Sequence, residues 1–324
     1  MRFSLSSPDV SIVIPVYNTG PLLLEAIESI VTQAPTELPL PVVEVIVVDD
    51  ASGDANTQSI LASLEARYPG VLRVLRNQRS KGVAGARNTA IEAARGQWIG
   101  FLDSDDLWLP NAMASLWQVV REHPQARWVA AHFLLTMLGS DAPPENKPLA
   151  ERSPYLYSLL GSDYEAGRAT CLKQPVSHFL KSCLIGIMTC LIRKELLIDA
   201  GLFDENQKRA SDYMMWLRCA LLSDLYYAPA DTGIYRMRKG SLTRTSAPPL
   251  ACEDSMLRKL LADPRYTPWN RQLRERLVLV LDDHCYYYRN AKHRSEARHW
   301  ALKLLREAPL RARTWKQALG AWMI

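Results

Sequence analysis

The chain has 324 residues, enough for one large α/β domain with an appendage or two modest domains, and too many for a small stapled scaffold. With 48% hydrophobic and 23% charged residues, 15 Gly and 20 Pro, the composition excludes disorder, collagen and coiled coil. Its 39 Lys and Arg against 34 Asp and Glu leave a net charge of +5, too small a surplus to point to nucleic acid.

The first hundred residues alternate strand-like and helix-like patterns, which predicts a mainly parallel sheet with crossover helices. Ser11 to Val16 reads as a strand, and Asn18-Thr19-Gly20-Pro21 turns the chain into a helix with Leu23, Ile27, Ile30 and Val31 along one face. Val42 to Val48 is a second strand that stops at Asp49-Asp50-Ala51-Ser52-Gly53-Asp54, before a helix from about Thr57 to Tyr68. Val71 to Leu75 is a third strand and Gly82 to Ala94 a helix. A fourth strand, Gln97 to Leu102, ends in Asp103-Ser104-Asp105-Asp106. Open α/β sheets bind ligands at the carboxyl ends of their strands, so both acidic clusters are expected on one rim.

A helix from about Pro110 to Glu122 and a strand from Trp128 to Leu138 follow, then a polar segment from Gly139 to about Ser182 that reads as irregular. Leu191 to Leu197 is expected as a short helix, Gly201 to Asp204 as a turn, Asp212 to Leu222 as a helix, and the residues up to Met237 as strand. Pro248-Pro249 marks a boundary. Beyond it the pattern is helical, with Leu273, Leu277, Val280 and Leu281 on one face and Trp300, Leu304 and Leu305 on another.

The longest apolar run, Cys183 to Ile192, is well short of the roughly 18 to 20 residues of a membrane span, and the N-terminal residues show no export signal, so the compartment reads as cytoplasmic. The six cysteines form no zinc spacing and are expected as buried reduced thiols, and the six histidines form no ligand set. Tyr286-Tyr287-Tyr288, Trp300 and Trp315 are expected in a helix-packing core rather than against lipid headgroups.

Asp103 and Asp105 lie two residues apart, so on an extended chain they point the same way, and paired hard oxygens suit Mg²⁺ or Mn²⁺ completed by substrate phosphates. An EF-hand is excluded because its Gly position is Trp108 and its Glu position Ala114. Asp50, at the end of the second strand, can accept from a base N–H or a ribose hydroxyl, although Asp and Ser are also ordinary turn and cap residues. The first turn, Pro15-Val16-Tyr17-Asn18-Thr19-Gly20, lacks the dinucleotide glycine fingerprint. No phosphate loop or Gly-x-Ser-x-Gly elbow is present either, which removes support for dehydrogenases, P-loop enzymes and α/β-hydrolases.

Four blocks in order, Ser11 to Asn18, Val47 to Ser52, Gly82-Val83-Ala84-Gly85-Ala86-Arg87-Asn88 and Phe101 to Asp106, resemble the donor half of family 2 glycosyltransferases of the GT-A fold. Gly201 to Glu205, Ser211 to Arg218 and Tyr235 to Ser241 resemble its acceptor half, so the resemblance runs from about residue 9 to 245. It implies an α/β GT-A-type, mainly parallel sheet flanked by helices. Residues 1–247 would form the catalytic domain (1–106 the nucleotide-sugar half, 107–247 the acceptor half) and 248–324 a C-terminal α-helical appendage.

For the site, the resemblance implies Pro15 and Tyr17 near the nucleobase, Asn18 and Arg87 in the same nucleotide-sugar site, and Asp50 accepting from the base. Asp103 would hold the ribose and share with Asp105 a divalent metal, Mn²⁺ or Mg²⁺. Asp212 would be the general base of a single inverting displacement. Two positions depart from the family: Ser211 stands where Glu is usual before the base, and Arg238 where His is usual. Arg238 cannot ligate a metal but can grip a pyrophosphate by forked hydrogen bonds.

The implied donor is a nucleoside diphosphate sugar, most often a UDP-sugar. The implied acceptor is a saccharide hydroxyl on a polyprenyl pyrophosphate, in surface polysaccharide synthesis. Two alternatives stay open: a sugar nucleotidyltransferase, whose glycine-rich N-terminal loop is absent, and an inactive nucleotide- or saccharide-binding regulator, against which the retained Asp103, Asp105 and Asp212 argue. Residues 251–324 hold 15 Lys and Arg against 8 Asp and Glu, a net of +7, leaving 24 against 26 in residues 1–250. The positive charge therefore belongs to the helical tail, where it suits contact with an anionic inner membrane surface.

Overall fold

The computed structural model describes residues 2–4, 7–139, 143–145, 147–237 and 253–323. Arg238, the rest of the last motif, Pro248-Pro249 and Cys252 lie outside the described residues. The chain runs β1 (Arg2–Phe3), β2 (Val10–Val16), α1 (Leu22–Val31), β3 (Val42–Asp49), α2 (Ala55–Arg67), β4 (Leu72–Arg76), α3 (Val83–Ala93), β5 (Trp98–Phe101), β6 (Leu107–Trp108), α4 (Ala112–Glu122) and β7 (Trp128–Met137). It continues through α5 (Leu149–Arg152), α6 (Pro154–Glu165), β8 (Thr170–Leu172), α7 (Val176–Lys181), β9 (Cys190–Arg193), α8 (Lys194–Asp199), α9 (Ser211–Leu222) and β10 (Leu225–Met237). Four helices close it: α10 (Glu253–Ala262), α11 (Asn270–Asn290), α12 (Arg294–Glu307) and α13 (Ala312–Trp322).

The strands form one sheet in the order β1-β3-β2-β5-β9-β7-β10-β6, with β4 also on β3 and β8 also on β10. Pairings β2/β3, β2/β5, β3/β4 and β7/β10 are parallel, while β9 lies antiparallel between β5 and β7. The Val- and Ile-rich strands have both faces covered, as parallel sheets require, and Ile12, Ile14, Val45 and Val47 have no exposure. Leu23, Ala26, Ile27 and Ile30 seal one face from α1.

β2 is where the strand order reverses, with β3 on one side and β5 on the other. Pairing with β5 stops at Val13↔Phe101, whereas pairing with β3 continues to Val16↔Asp49. Pro15, which has no N–H to donate, sits just past that end, where the sheet asks for no hydrogen bond on the β5 side. The two strands part there, which opens a crevice at their carboxyl ends.

One charged side chain is fully buried inside this half. Glu44 in β3 accepts from Ser11 Oγ at 2.6 Å and from the Arg95 amide at 2.7 Å, and Arg73 grips its other oxygen at 2.8 and 3.2 Å. Gly96 donates to the same Ser11 hydroxyl at 2.9 Å. A side chain at Gly96 would place its Cβ 2.6 Å from the Ser11 nitrogen, so the α3–β5 connection closes on β2 only with glycine there.

Three expectations are corrected. The Gly139 to Ser182 segment is not irregular: Pro154 starts α6, whose Leu156 and Leu160 are buried, and Gly161 kinks it at φ 53°. Leu191 to Leu197 is not one helix, because Cys190–Arg193 is captured as a strand between β5 and β7 and the helix begins only at Lys194. Tertiary pairing has overridden local propensity there. Cys183 is exposed and Cys171 half-buried, whereas Cys190, Cys219 and Cys285 are the buried thiols expected.

The chain divides into two compact units, residues 1–206 with 211–238 and residues 207–210 with 239–324. Within the second, α11 buries Leu273, Leu277, Val280 and Leu281 completely, and Leu304 of α12 is buried while Trp300 and Leu305 are half-buried. Tyr286 and Trp315 are exposed, against the expected core packing: on α11 it is Leu281, Asp282, His284 and Cys285 that are buried beside Tyr286, and on α13 the Thr314, Gln317, Ala318 and Ala321 side faces inward instead of Trp315.

Within the first unit, Glu205 ties the turn after α8 to the segment before α3. It accepts from Asn88 Nδ2 at 2.9 Å, from the Ser80 amide at 3.1 Å and from Arg79. Burial works against its charge, but these donors outweigh it and bring its pKa down to about 2. A carboxylate so depressed adds stability above its unfolded value near 4.5, and that stability is lost as pH falls toward 2. Glu205→Gln should therefore flatten the acid limb of a stability-versus-pH curve between those values; an unchanged limb would refute the clamp. Glu44→Ala leaves the partly exposed Arg73 and the buried Ser11 hydroxyl without their acceptor, so urea denaturation should show a loss of about 1–3 kcal/mol; a loss under 1 kcal/mol would mean that water replaces the carboxylate.

Candidate active site

Four turns meet on the rim where β2 and β5 part. After β2, Tyr17 is half exposed and Asn18 adopts φ 50°, a left-handed conformation that Asn tolerates better than most residues. The Asn18 amide donates to Ser52 Oγ at 3.1 Å, and its side-chain oxygen accepts from the Gly53 amide at 2.8 Å. The turns after β2 and β3 are thus knitted together, which also holds Ala51 at φ 62° against a cost of about 1 kcal/mol. Pro15 is buried in the strand behind them.

Asp50, 6% exposed, lies beneath this pair of turns and accepts from Asn77 Nδ2 at 2.6 Å. Asn77 in turn accepts from Thr89 Oγ1 at 2.9 Å and from the Arg79 amide at 2.9 Å, so α3 and the β4–α3 connection fix where the Asp50 carboxylate points. Lys81 on that connection places its ammonium 4.7 Å from the centre of the Tyr17 ring. Gly85, one turn into α3, is required because a Cβ would lie 2.0 Å from the Ser80 carbonyl oxygen.

The Asp103–Asp106 segment is a turn rather than a continuation of β5: the Asp106 amide donates to the Asp103 carbonyl at 3.0 Å. The chain is therefore not extended between Asp103 and Asp105 as expected, and the turn, not strand alternation, sets the directions of their side chains. Ser104 bonds Thr19 across the crevice at 2.7 Å. Asp103 is paired at 2.7 Å with the buried guanidinium of Arg87. Asp106 is nearly fully buried, and burial first, then the negative charge of Asp103, with Asp105 adding to it, pushes its pKa up to about 8.

Arg236 of β10 grips the same turn from the other side. Its amide donates to Asp106 Oδ1 at 2.8 Å, its Nε to the Asp105 carbonyl at 2.5 Å, and its remaining arm pairs with Glu25 of α1. Arg236 lies in the last motif block, which assigns it no task; it is 6% exposed on a stretch of strand where Ile234, Tyr235 and Met237 are half-buried, so these contacts and not the strand pattern account for its burial.

Asp212 lies half-buried in the first turn of α9 and accepts from the Tyr213 amide at 2.8 Å. Four residues on, Trp216 stacks on Trp128 with ring centres 5.8 Å apart and meets the edge of Phe203 at 6.5 Å. Phe203 lies under the Arg87 guanidinium at 5.4 Å, and Asn88 holds both its amide and its carbonyl at 2.9 Å. Between these groups the Cys190 thiol is pushed well up by burial, with the charges of Cys219, Arg87 and Asp212 all reaching it. Asn88, Glu205 and Arg236 lie within motif blocks that assign them no task of their own, Asn77 lies outside every block, and each builds the site through tertiary contacts to a distant segment.

Among the described residues no group of three or more His, Cys, Asp or Glu is arranged to hold a metal ion. The turn nevertheless offers carboxylate oxygens of the kind a hard divalent cation takes: burial is the main cause of the raised Asp106 pKa, and the charges of Asp103 and Asp105 that add to it are a negative field that a cation relieves. Such a cation would need oxygens from a substrate to complete its shell. Among the described residues no helix is long and apolar enough to cross a membrane.

The model of the family described as "Glycosyl transferase family 2" matches residues 11–133, which span all four turns. The UDP-Glc:alpha-D-GlcNAc-diphosphoundecaprenol beta-1,3-glucosyltransferase WfgD of Escherichia coli is 25% identical over 288 residues, covering 87% of this chain and 98% of that protein. Among solved structures, S. aureus TarS 1-349 in complex with UDP-GlcNAc superposes with a TM-score of 0.59 at 18% identity, over 99% of this chain and 79% of that one. The mannosyltransferase PcManGT from Pyrobaculum calidifontis, in complex with GDP-Man and Mn²⁺, gives 0.60 at 19% identity, over 100% and 88%. The fold is therefore that of the GT-A enzymes, and the chain is a sugar-transferring enzyme that belongs to glycosyltransferase family 2.

Proposed function

We propose that the chain is an inverting hexosyltransferase that moves a sugar from a UDP-sugar to a hydroxyl of a polyprenyl-pyrophosphate-linked saccharide. It would work at the cytoplasmic face of the membrane during surface polysaccharide assembly. What carries the reading is the meeting of Asp50 and the Asp103–Asp106 turn on one rim, beside a helix whose first turn bears Asp212. WfgD supports a UDP donor and a diphosphoundecaprenol-linked acceptor through its name, and the UDP-GlcNAc complex of TarS supports the donor.

In this reading Tyr17 flanks the nucleobase, while Pro15, expected beside it, is buried in the strand behind and only shapes the turn; Asp50 accepts the imino N–H of the base, and Asn18 holds the two turns that frame it. Asp103 accepts from the ribose while keeping its ion pair to Arg87. Asp105, with Asp103, would hold Mg²⁺ or Mn²⁺, which supplies positive charge against the diphosphate; the Mn²⁺ in the PcManGT complex supports this. Arg238 adds a forked donor to the same phosphates. Asp212 takes the proton of the acceptor hydroxyl as that oxygen bonds to the anomeric carbon. The bond from that carbon to the phosphate oxygen breaks on the opposite face, UDP leaves, and the configuration inverts.

Asp212→Asn keeps an oxygen for the Tyr213 amide but removes the base, so kcat for transfer should fall by about 10²–10⁴-fold with UDP affinity nearly unchanged. Full transfer by this variant would rule out the role. For the metal, titration calorimetry should show UDP binding at least about tenfold tighter with Mn²⁺ than with EDTA, and Asp105→Asn should lose that gain. Equal affinities in the two buffers would overturn the metal assignment. Asp103 is the poorer probe, because its replacement also strands Arg87.

A further inference from the structure

We propose that the outward face of α13 is a membrane-docking surface, which seats Trp315, Leu319 and Trp322 among the headgroups of an anionic bilayer. The inference deepens the membrane reading above by naming the surface. These residues fall at i, i+4 and i+7, one stripe of a helix, and are 52%, 63% and 46% exposed. Leu310, in the turn just before the helix, is 98% exposed. Trp315 donates its indole N–H to the Pro309 carbonyl at 2.7 Å, so that turn and the stripe are held together.

The stripe is not the packing side of the helix. Thr314, Gln317, Ala318 and Ala321 are buried, and Gln317 and Arg313 both bond Asp282 of α11, at 3.0 and 2.7 Å. The helix thus has an inner side and a second, outward apolar one. Of the fourteen large apolar side chains that are strongly exposed among the described residues, eight lie in residues 253–323, so the exposure is concentrated rather than scattered.

Charge complementarity selects the occupant. Arg311 and Lys316 lie next to the stripe on the same short helix and its approach, and Arg298 of α12 sits 6.0 Å from the Trp322 ring. The region from 251 onward carries a net +7. A second copy of the same surface would set positive against positive, whereas an anionic headgroup layer satisfies the cations and takes the indole rings at the depth they favour. Because the Trp315 N–H is already bonded, that ring enters the interface without stranding a donor.

The test is flotation of the full chain with vesicles of phosphatidylcholine alone and of phosphatidylcholine mixed with phosphatidylglycerol. Binding should need the anionic lipid and weaken in high salt. Leu319→Ser with Trp322→Ser, both at exposed positions and so neutral for folding by thermal melt, should lower the bound fraction at least about tenfold. No flotation of the native chain, or equal flotation of the variant, overturns the proposal. So does a self-association in ultracentrifugation that the same substitutions abolish while vesicles go unbound. UDP release from the sugar nucleotide, measured on the same samples, separates the two readings. Turnover without flotation sinks the docking face alone; flotation without turnover upholds it and sinks the UDP-sugar donor reading.

Discussion

The rim depends on one buried cation, the Arg87 guanidinium. Removed from water, it is tolerable only because Asp103 meets it at 2.7 Å, and it rests over the Phe203 ring in the same place. Phe203 is held through both backbone groups by Asn88, the residue after Arg87, and abuts Trp216 of the helix that bears Asp212. A single turn of α3 therefore sets the position of the Asp103 turn on one side and of α9 on the other. Gly85 belongs to this constraint, since the Ser80 carbonyl occupies the space where a side chain would go.

Against Arg87 stands the opposite problem of three carboxylates on four consecutive residues. Arg236 addresses it from β10 without neutralising the turn: it binds one carboxylate through its amide and one backbone carbonyl through Nε, and its second arm is drawn to Glu25. Asp106 carries the cost, with a pKa near 8 that reflects burial first and its acidic neighbours next. A turn clamped this way has little freedom to rearrange when a ligand arrives, which is the preorganisation that charge stabilisation requires. Arg87 and Arg236 both fix the position of this turn, one through the Asp103 carboxylate and the other through Asp106 and the Asp105 carbonyl.

What could be read from the sequence follows the range of the interactions involved. The β2, β3, β4 and β5 strands and the helices between them were legible because each repeats its pattern within ten or so residues and ends in a turn with Asp, Asn, Ser or Gly. β9 was not, because Cys190–Arg193 is a strand only through β5 and β7, nearly a hundred and about sixty residues earlier in the chain. The same holds in the site. Asp50 and the Asp103–Asp105 pair announce themselves at strand ends, whereas Asn77 and Glu205 look like loop residues until the fold brings them to Asp50 and to Ser80. The turn geometry at Asp103 was misread because a two-residue spacing has one meaning on a strand and another in a turn.

The sign of the charge along the chain fits this arrangement. Residues 1–250 are net negative by two, so no long-range field of that part draws in a donor bearing two phosphates. Attraction must come from cations close to the rim. Lys81 beside Tyr17 is one and Arg87 is spent on Asp103; under the proposed function the remainder would fall to a metal held by Asp103 and Asp105. A basic surplus within residues 1–250 would compete for Asp103, Asp105 and Asp106 and fill the site with internal ion pairs; with 24 Lys and Arg against 26 Asp and Glu, that part of the chain carries none.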